Sequence, residues 1–152
     1  MDIQVKDIDG RNLDGSIDVV VMLPSNFDDL VEKHVYHSNT ISFEKYARNK
    51  IEMRYFSEPQ LLLEQRSGEW FAPLFLFTQT LISENPTAVS IVCGIIANYI
   101  TEALKGAREP DVVLRVICQK TKSKTFVELS YKGDISGLSV LQEAIEKAIE
   151  NE

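Results

Sequence analysis

The chain has 152 residues, 44% of them hydrophobic and 26% charged, a balance found in soluble globular proteins and not in disordered or membrane-embedded ones. A formal net charge of -7 argues against broad nucleic-acid binding, which depends on Lys and Arg neutralising phosphates. The length predicts a single domain over 1–152, with 1–68 and 69–152 as subregions within it.

The opening MDIQVKDIDG has neither a basic n-region nor an apolar run, so no secretory signal is expected and a cytoplasmic location follows. Asp7, Asp9, Asp14 and Asp18 recur around two glycines, but Arg11 follows Gly10 and no Glu closes the segment, so the spacing does not make a calcium loop. Turns around a short strand are expected instead. Ile17 to Leu23, IDVVVML, predicts a buried strand, and Phe27, Leu30, Val31, His34 and Val35 then follow helical spacing. His34 and His37 stand three apart without an HExxH or CxxC partner, which points to partly exposed histidines at a helix end and not to metal ligands.

Alternation at Ile41, Phe43 and Lys45 and again at Ile51, Met53 and Tyr55 predicts a β-hairpin, with helix as the rival for both segments. Residues 60–65 add a further strand. Two apolar runs come next. The first, Phe71 to Ser83, is joined by Glu84 and Asn85 to a second that runs from Ala88 to Leu104, a link short enough for an antiparallel helical hairpin. Asn85 as N-cap, Pro86 at the first helical position, Lys105 on the last turn and Gly106 beyond it bound the second helix. Ser90, Gly94, Asn98, Thr101 and Glu102 form one narrow polar stripe, so most of that helix should be buried. Ser90 and Gly94, four apart, should admit a close neighbour along their side.

Val112 to Lys120 and Thr125 to Tyr131 alternate strongly. Val112, Leu114, Val116 and Cys118 share one face, as do Val127, Leu129 and Tyr131, and these faces should lie on the central helix. Leu138, Leu141, Ala144, Ile145, Ala148 and Ile149 predict a last amphipathic helix. Cys93 and Cys118 fall in apolar segments and are read as reduced core thiols. The fold class is therefore α+β: a mostly antiparallel sheet packed against a buried helical hairpin and a C-terminal amphipathic helix.

No Walker loop, GxSxG elbow, dinucleotide fingerprint or zinc quartet occurs, so no catalytic, cofactor-binding or metal residues are assigned and no cofactor is expected. The aromatic run Trp70, Phe71, Phe75 and Phe77 is of the kind favoured at interface cores, and Lys120, Lys122 and Lys124 make a basic hairpin tip on an acidic chain. Trp70, Phe71, Lys120, Lys122 and Lys124 are the candidate interaction residues of a non-catalytic protein-interaction or adaptor module. Its partner is a protein, and a homo-oligomer is open to it. Two other functions are weighed. One is a membrane-active helical hairpin, although neither run reaches the roughly 20 residues of a stable span. The other is a small enzyme whose site is assembled from dispersed Glu, His and Tyr.

From about Glu69 the order of apolar hairpin, strand, basic turn, a strand containing VELSYK and a short acidic helix resembles the effector-associated constant component domains of bacterial conflict systems. The likeness covers the C-terminal half and departs from that family in lacking a Gly-rich link between the two apolar runs. It implies a non-catalytic adaptor that couples an effector to other components of bacterial defence, with no site residues carried over.

Overall fold

The structure is a computed structural model that describes residues 2–8, 13, 15–27, 34–59, 61–63, 69–103, 111–120 and 125–150. In chain order the elements are β1 (Asp2–Ile8), β2 (Val20–Leu23), β3 (Val35–His37), α1 (Asn39–Ala47), β4 (Met53–Tyr55), β5 (Leu61–Leu63), β6 (Glu69–Phe71), β7 (Leu74–Phe77), α2 (Gln79–Glu84), α3 (Ala88–Ala103), β8 (Asp111–Gln119), β9 (Phe126–Gly133), a 3-10 turn (Ile135–Gly137) and α4 (Leu138–Glu150).

One seven-stranded sheet runs β1-β9-β8-β7-β2-β4, with β6 also pairing β8, and β3 and β5 form a separate parallel pair. The class is α+β, with antiparallel pairs at β1/β9, β8/β9 and β2/β7 and parallel ones at β7/β8 and β2/β4. Strands from both halves of the chain share this sheet. The C-terminal strands carry the expected faces: Leu114 is opposite Tyr131, Val116 opposite Leu129 and Cys118 opposite Val127, all buried beneath the helices.

The first apolar run is not a helix. Trp70 and Phe71 end β6, Leu74–Phe77 form β7 between β2 and β8, and only Gln79–Glu84 are helical. An unbroken apolar run has no period to separate a buried strand from a buried helix, and pairing with β2 on one side and β8 on the other decides for the strand. The expected β-hairpin over 40–56 is likewise replaced by α1 and β4, the helix rival winning for the first segment. The helix expected over 27–35 lies mostly outside the described residues, and Val35 belongs to β3.

Between β6 and β7 the register against β8 slips by one: Phe71 is opposite Val113, but Phe75 is opposite Val116. Four steps on one strand match three on the other, so one residue is bulged out, and Pro73, which has no N–H to donate to a ladder, lies at that point. The slip inverts side-chain parity. Trp70 and Ala72 before it and Phe75 and Phe77 after it all face the helices, while Leu74 and Leu76 face the other way.

On the helix-covered face α3 supplies Ala88, Val89, Val92, Ile95, Ile96 and Ile100, and α4 supplies Leu138, Leu141, Ile145 and Ile149. Ser90, Gly94, Asn98, Thr101 and Glu102 are exposed, the narrow stripe that the spacing predicts. No close neighbour uses Gly94, since a Cβ built there would meet nothing within 4 Å. The stripe faces outward because it is the polar one; its small residues have no packing role. α2 is held at its start by Thr78, whose hydroxyl accepts the Leu81 N–H at 3.2 Å and donates to the Ile17 carbonyl. The Gln119 amide oxygen takes the Gln79 N–H at 2.8 Å, so three of the loose backbone groups here find partners.

The opposite face has no helix among the described residues. At the β2 and β7 end it is closed by a smaller apolar cluster of Val21, Leu23, Phe27, Leu74, Leu76, Ile117 and Phe126, with Leu13 and Ile17 packed against it. At the β9 and β1 end it turns polar.

Candidate interaction surface

Trp70 and Phe71, neighbours in sequence, point to opposite faces because successive residues of a strand must. Trp70 is 6% exposed and packs against the rings of Phe43 and Tyr99, so it belongs to the core. Phe71 is half-buried on the other face, where its ring lies 5.1 Å from that of His37 and its carbonyl accepts from Asn39 Nδ2 at 3.2 Å. Lys120, just past the end of β8, is 3.7 Å from the Asp7 carboxylate of β1. Lys122 and Lys124 lie outside the described residues.

The histidines do not converge. His34 Nδ1 is 2.7 Å from Ser57 Oγ, and Tyr36 Oη donates to the Ser57 carbonyl at 2.7 Å while accepting the Ser57 N–H at 3.0 Å. These bonds tie β3 to the segment after β4. His37 has its Nδ1 buried without a hydrogen-bond partner, and desolvation, with the charge of Arg115 second, lowers its pKa from the usual value of 6.5. An imidazole desolvated against Phe71 and exposed to the charge of Arg115 favours its neutral form. Both thiols are free and buried; burial pushes Cys93 up to about 12 and Cys118 higher still, so neither is nucleophilic in the folded chain.

The polar end of the open face is built by alternate residues of three strands. Gln4 and Lys6 on β1, Glu128, Ser130 and Lys132 on β9, and Val113 and Arg115 on β8 share it by register. Glu128 is only 5% exposed and accepts from Arg115 Nη2 at 2.8 Å, with Lys6 Nζ at 3.7 Å on its other oxygen. A buried carboxylate needs such partners, and two cations satisfy it. Lys132 reaches Glu69 of β6 at 3.2 Å. Between these strands lies an open groove of about 250 Å³ lined by Gln4, Val113, Leu114, Arg115, Ser130, Tyr131 and Lys132. Its described lining has two cations and no carboxylate. A second open hollow of about 590 Å³ adjoins it through Lys132 and is bordered by Asp111, Gly133, Asp134 and Ser136. Gly133 is required here, since a Cβ would meet Tyr131 Oη at 2.7 Å and displace its 2.5 Å bond to the Asp134 carbonyl.

Sequence reasoning found Lys120 and Phe71 near this region but missed Arg115, Glu128 and Lys132, which look like ordinary outward-facing strand residues. The available signal was a charged pair at polar positions of two adjacent strands, which register alone brings together. Among the described residues no group of His, Cys, Asp or Glu could hold a metal ion, and no described helix is long and apolar enough to cross a membrane. In comparisons with known proteins the chain matches no protein family, no curated protein and no solved structure.

Proposed function

We propose that the chain is a non-catalytic protein-interaction module that receives a partner segment bearing carboxylates on the open face of its sheet. The observation that carries this is the groove between β1, β9 and β8, where Arg115 and Lys132 flank an open channel on a chain whose net charge is -7. Among the described residues their charges are only partly spent on Glu128 and Glu69, because each presents more N–H donors than the ion pair described for it uses. A local excess of donors in an acidic protein favours an acidic partner and, through complementarity, sets which partners are rejected. An adaptor in a bacterial defence system, as the resemblance implies, is one setting for such a module.

The membrane-active alternative needs the first apolar run to leave the protein as a helix, yet β7 is an interior strand bonded on both sides. The enzyme alternative needs a histidine facing a carboxylate in a cavity, and neither His34 nor His37 lines the two hollows described.

Filling the groove tests the proposal. Ser130→Arg is compared with Glu143→Arg on the exposed side of α4, both checked for unchanged thermal midpoints, in affinity capture from native extract. Partners lost with Ser130→Arg and kept with Glu143→Arg are the expected result. Identical partner sets for both variants and the natural chain would remove the groove from the reading.

A further inference from the structure

β1 ends the sheet. Its inner side is bonded to β9 from Asp2 opposite Lys132 to Ile8 opposite Phe126, and among the described residues nothing pairs with its outer side. Seven residues of unpaired backbone make a template for another strand. Val5 on this strand is 58% exposed, the most exposed large hydrophobic side chain described, and it lies at a position whose neighbour across the ladder, Leu129, is core. A solvated valine between Gln4 and Lys6 on a free edge is what remains to be explained.

We infer that the edge is closed by β1 of a second copy of this chain, antiparallel about a two-fold axis through Gln4. A two-fold that joins two sheets edge to edge antiparallel stands perpendicular to the sheet and keeps the same face up in both copies. Facing residues must therefore share parity, Ile3, Val5 and Asp7 on one side and Asp2, Gln4, Lys6 and Ile8 on the other. Few registers satisfy that rule, and they differ sharply in quality. Centred on Val5, the axis puts Ile3 against Asp7. Centred on Lys6 it puts Lys6 against Lys6 and Val5 against Asp7. Centred on Gln4, it sets Asp2 opposite Lys6 twice, Ile3 opposite Val5 twice and Gln4 opposite Gln4. Within the paired stretch from Asp2 to Lys6 each charge then meets its opposite and each apolar residue an apolar one, the combination that stabilises cross-strand pairs, while Asp7 and Ile8 lie beyond it. The charges of β1, which guard a free edge against indiscriminate pairing, in this way also select one register.

Such pairing makes one continuous sheet of two copies and covers Val5 with Ile3 of the second copy. It also sets the two grooves symmetrically about Gln4, although it stands whether or not those grooves bind a partner. An edge contact is smaller than a standard interface, so the dimer should be concentration-dependent.

Sedimentation equilibrium of the full chain, up to about 100 μM, is the first measurement, because small interfaces associate weakly. The natural chain should shift from monomer toward dimer. Asp2→Lys, which sets Lys against Lys6, and Val5→Lys should each remain monomeric with an unchanged circular dichroism spectrum; if Val5→Lys fails to fold, Asp2→Lys decides. Register is read by oxidation: Gln4→Cys should give a covalent dimer, since directly opposed Cα atoms in an antiparallel pair lie within disulfide range. Asp7→Cys, unpaired in this register, should not, and the buried native thiols do not compete. A natural chain monomeric throughout overturns the inference. So does a dimer untouched by Asp2→Lys, or one in which Asp7→Cys links as readily as Gln4→Cys.

Discussion

Two faces of the same strands, one residue apart in sequence, follow different rules. The face under α3 and α4 carries Trp70, Phe75, Val116, Leu129 and Tyr131, all at or below 6% exposure, and its stability comes from apolar area and ring packing. The face behind it carries Arg115, Glu128, Ser130 and Lys132 on β8 and β9, where one buried carboxylate is paired with Arg115 at 2.8 Å and Lys6 at 3.7 Å. What separates them is whether a helix follows the strand on that side. α3 and α4 return over one face only, so the other keeps water-seeking groups at one end and is closed by loop residues such as Leu13 and Ile17 at the other. A packed face resists change, while a half-open one can exchange its contacts for those of a partner.

Breaking the packed face has the largest effect. Trp70→Ala removes an indole packed against the rings of Phe43 and Tyr99 and should cost about 3–5 kcal/mol in urea unfolding, as large aromatic truncations in cores do. A cost below about 1 kcal/mol, the range of surface changes, would show that this face is not the core of stability.

The outer stripe of α3 should respond with the opposite sign. Gly94 is exposed, helical and without neighbours for a Cβ, so Gly94→Ala should stabilise the fold by about 0.5–1 kcal/mol through lost freedom of the unfolded chain. A destabilised Gly94→Ala would mean that something closes on the stripe after all.

The smallest effect sharpens the contrast through pH. His37, on the open side, has its pKa lowered from 6.5, chiefly by desolvation and then by Arg115. The unfolded chain therefore binds the proton more readily than the folded one. The contribution of the neutral ring is fully present above 6.5 and is lost as pH falls through 6.5 toward the lowered folded value. His37→Phe keeps a ring against Phe71 and removes the unpaired Nδ1, so its thermal midpoint should fall less between pH 7 and pH 5 than that of the natural chain. Parallel acid limbs would place the titrating group elsewhere.

Local period made α3, α4, β8 and β9 legible. The polar stripe from Ser90 to Glu102 and the alternation from Val112 to Cys118 each report which side meets water, and a side chain's side is set by its own element's geometry. The candidate site was not legible in this way, because Arg115, Glu128 and Lys132 become a site only when β8 and β9 pair in one register and no helix covers them.

The chain by itself determined the α+β class, the buried C-terminal strand pair and the outward stripe of its longest helix, since these need only periodicity and the apolar share. Tertiary structure alone decided that Leu74–Phe77 is strand and not helix, because an apolar run without period is fixed by the partners that accept its backbone bonds, here β2 and β8. It also decided that the bulge at Pro73 brings Trp70 and Phe75 to one face, since parity across a slipped register is a property of two strands together and is written in neither.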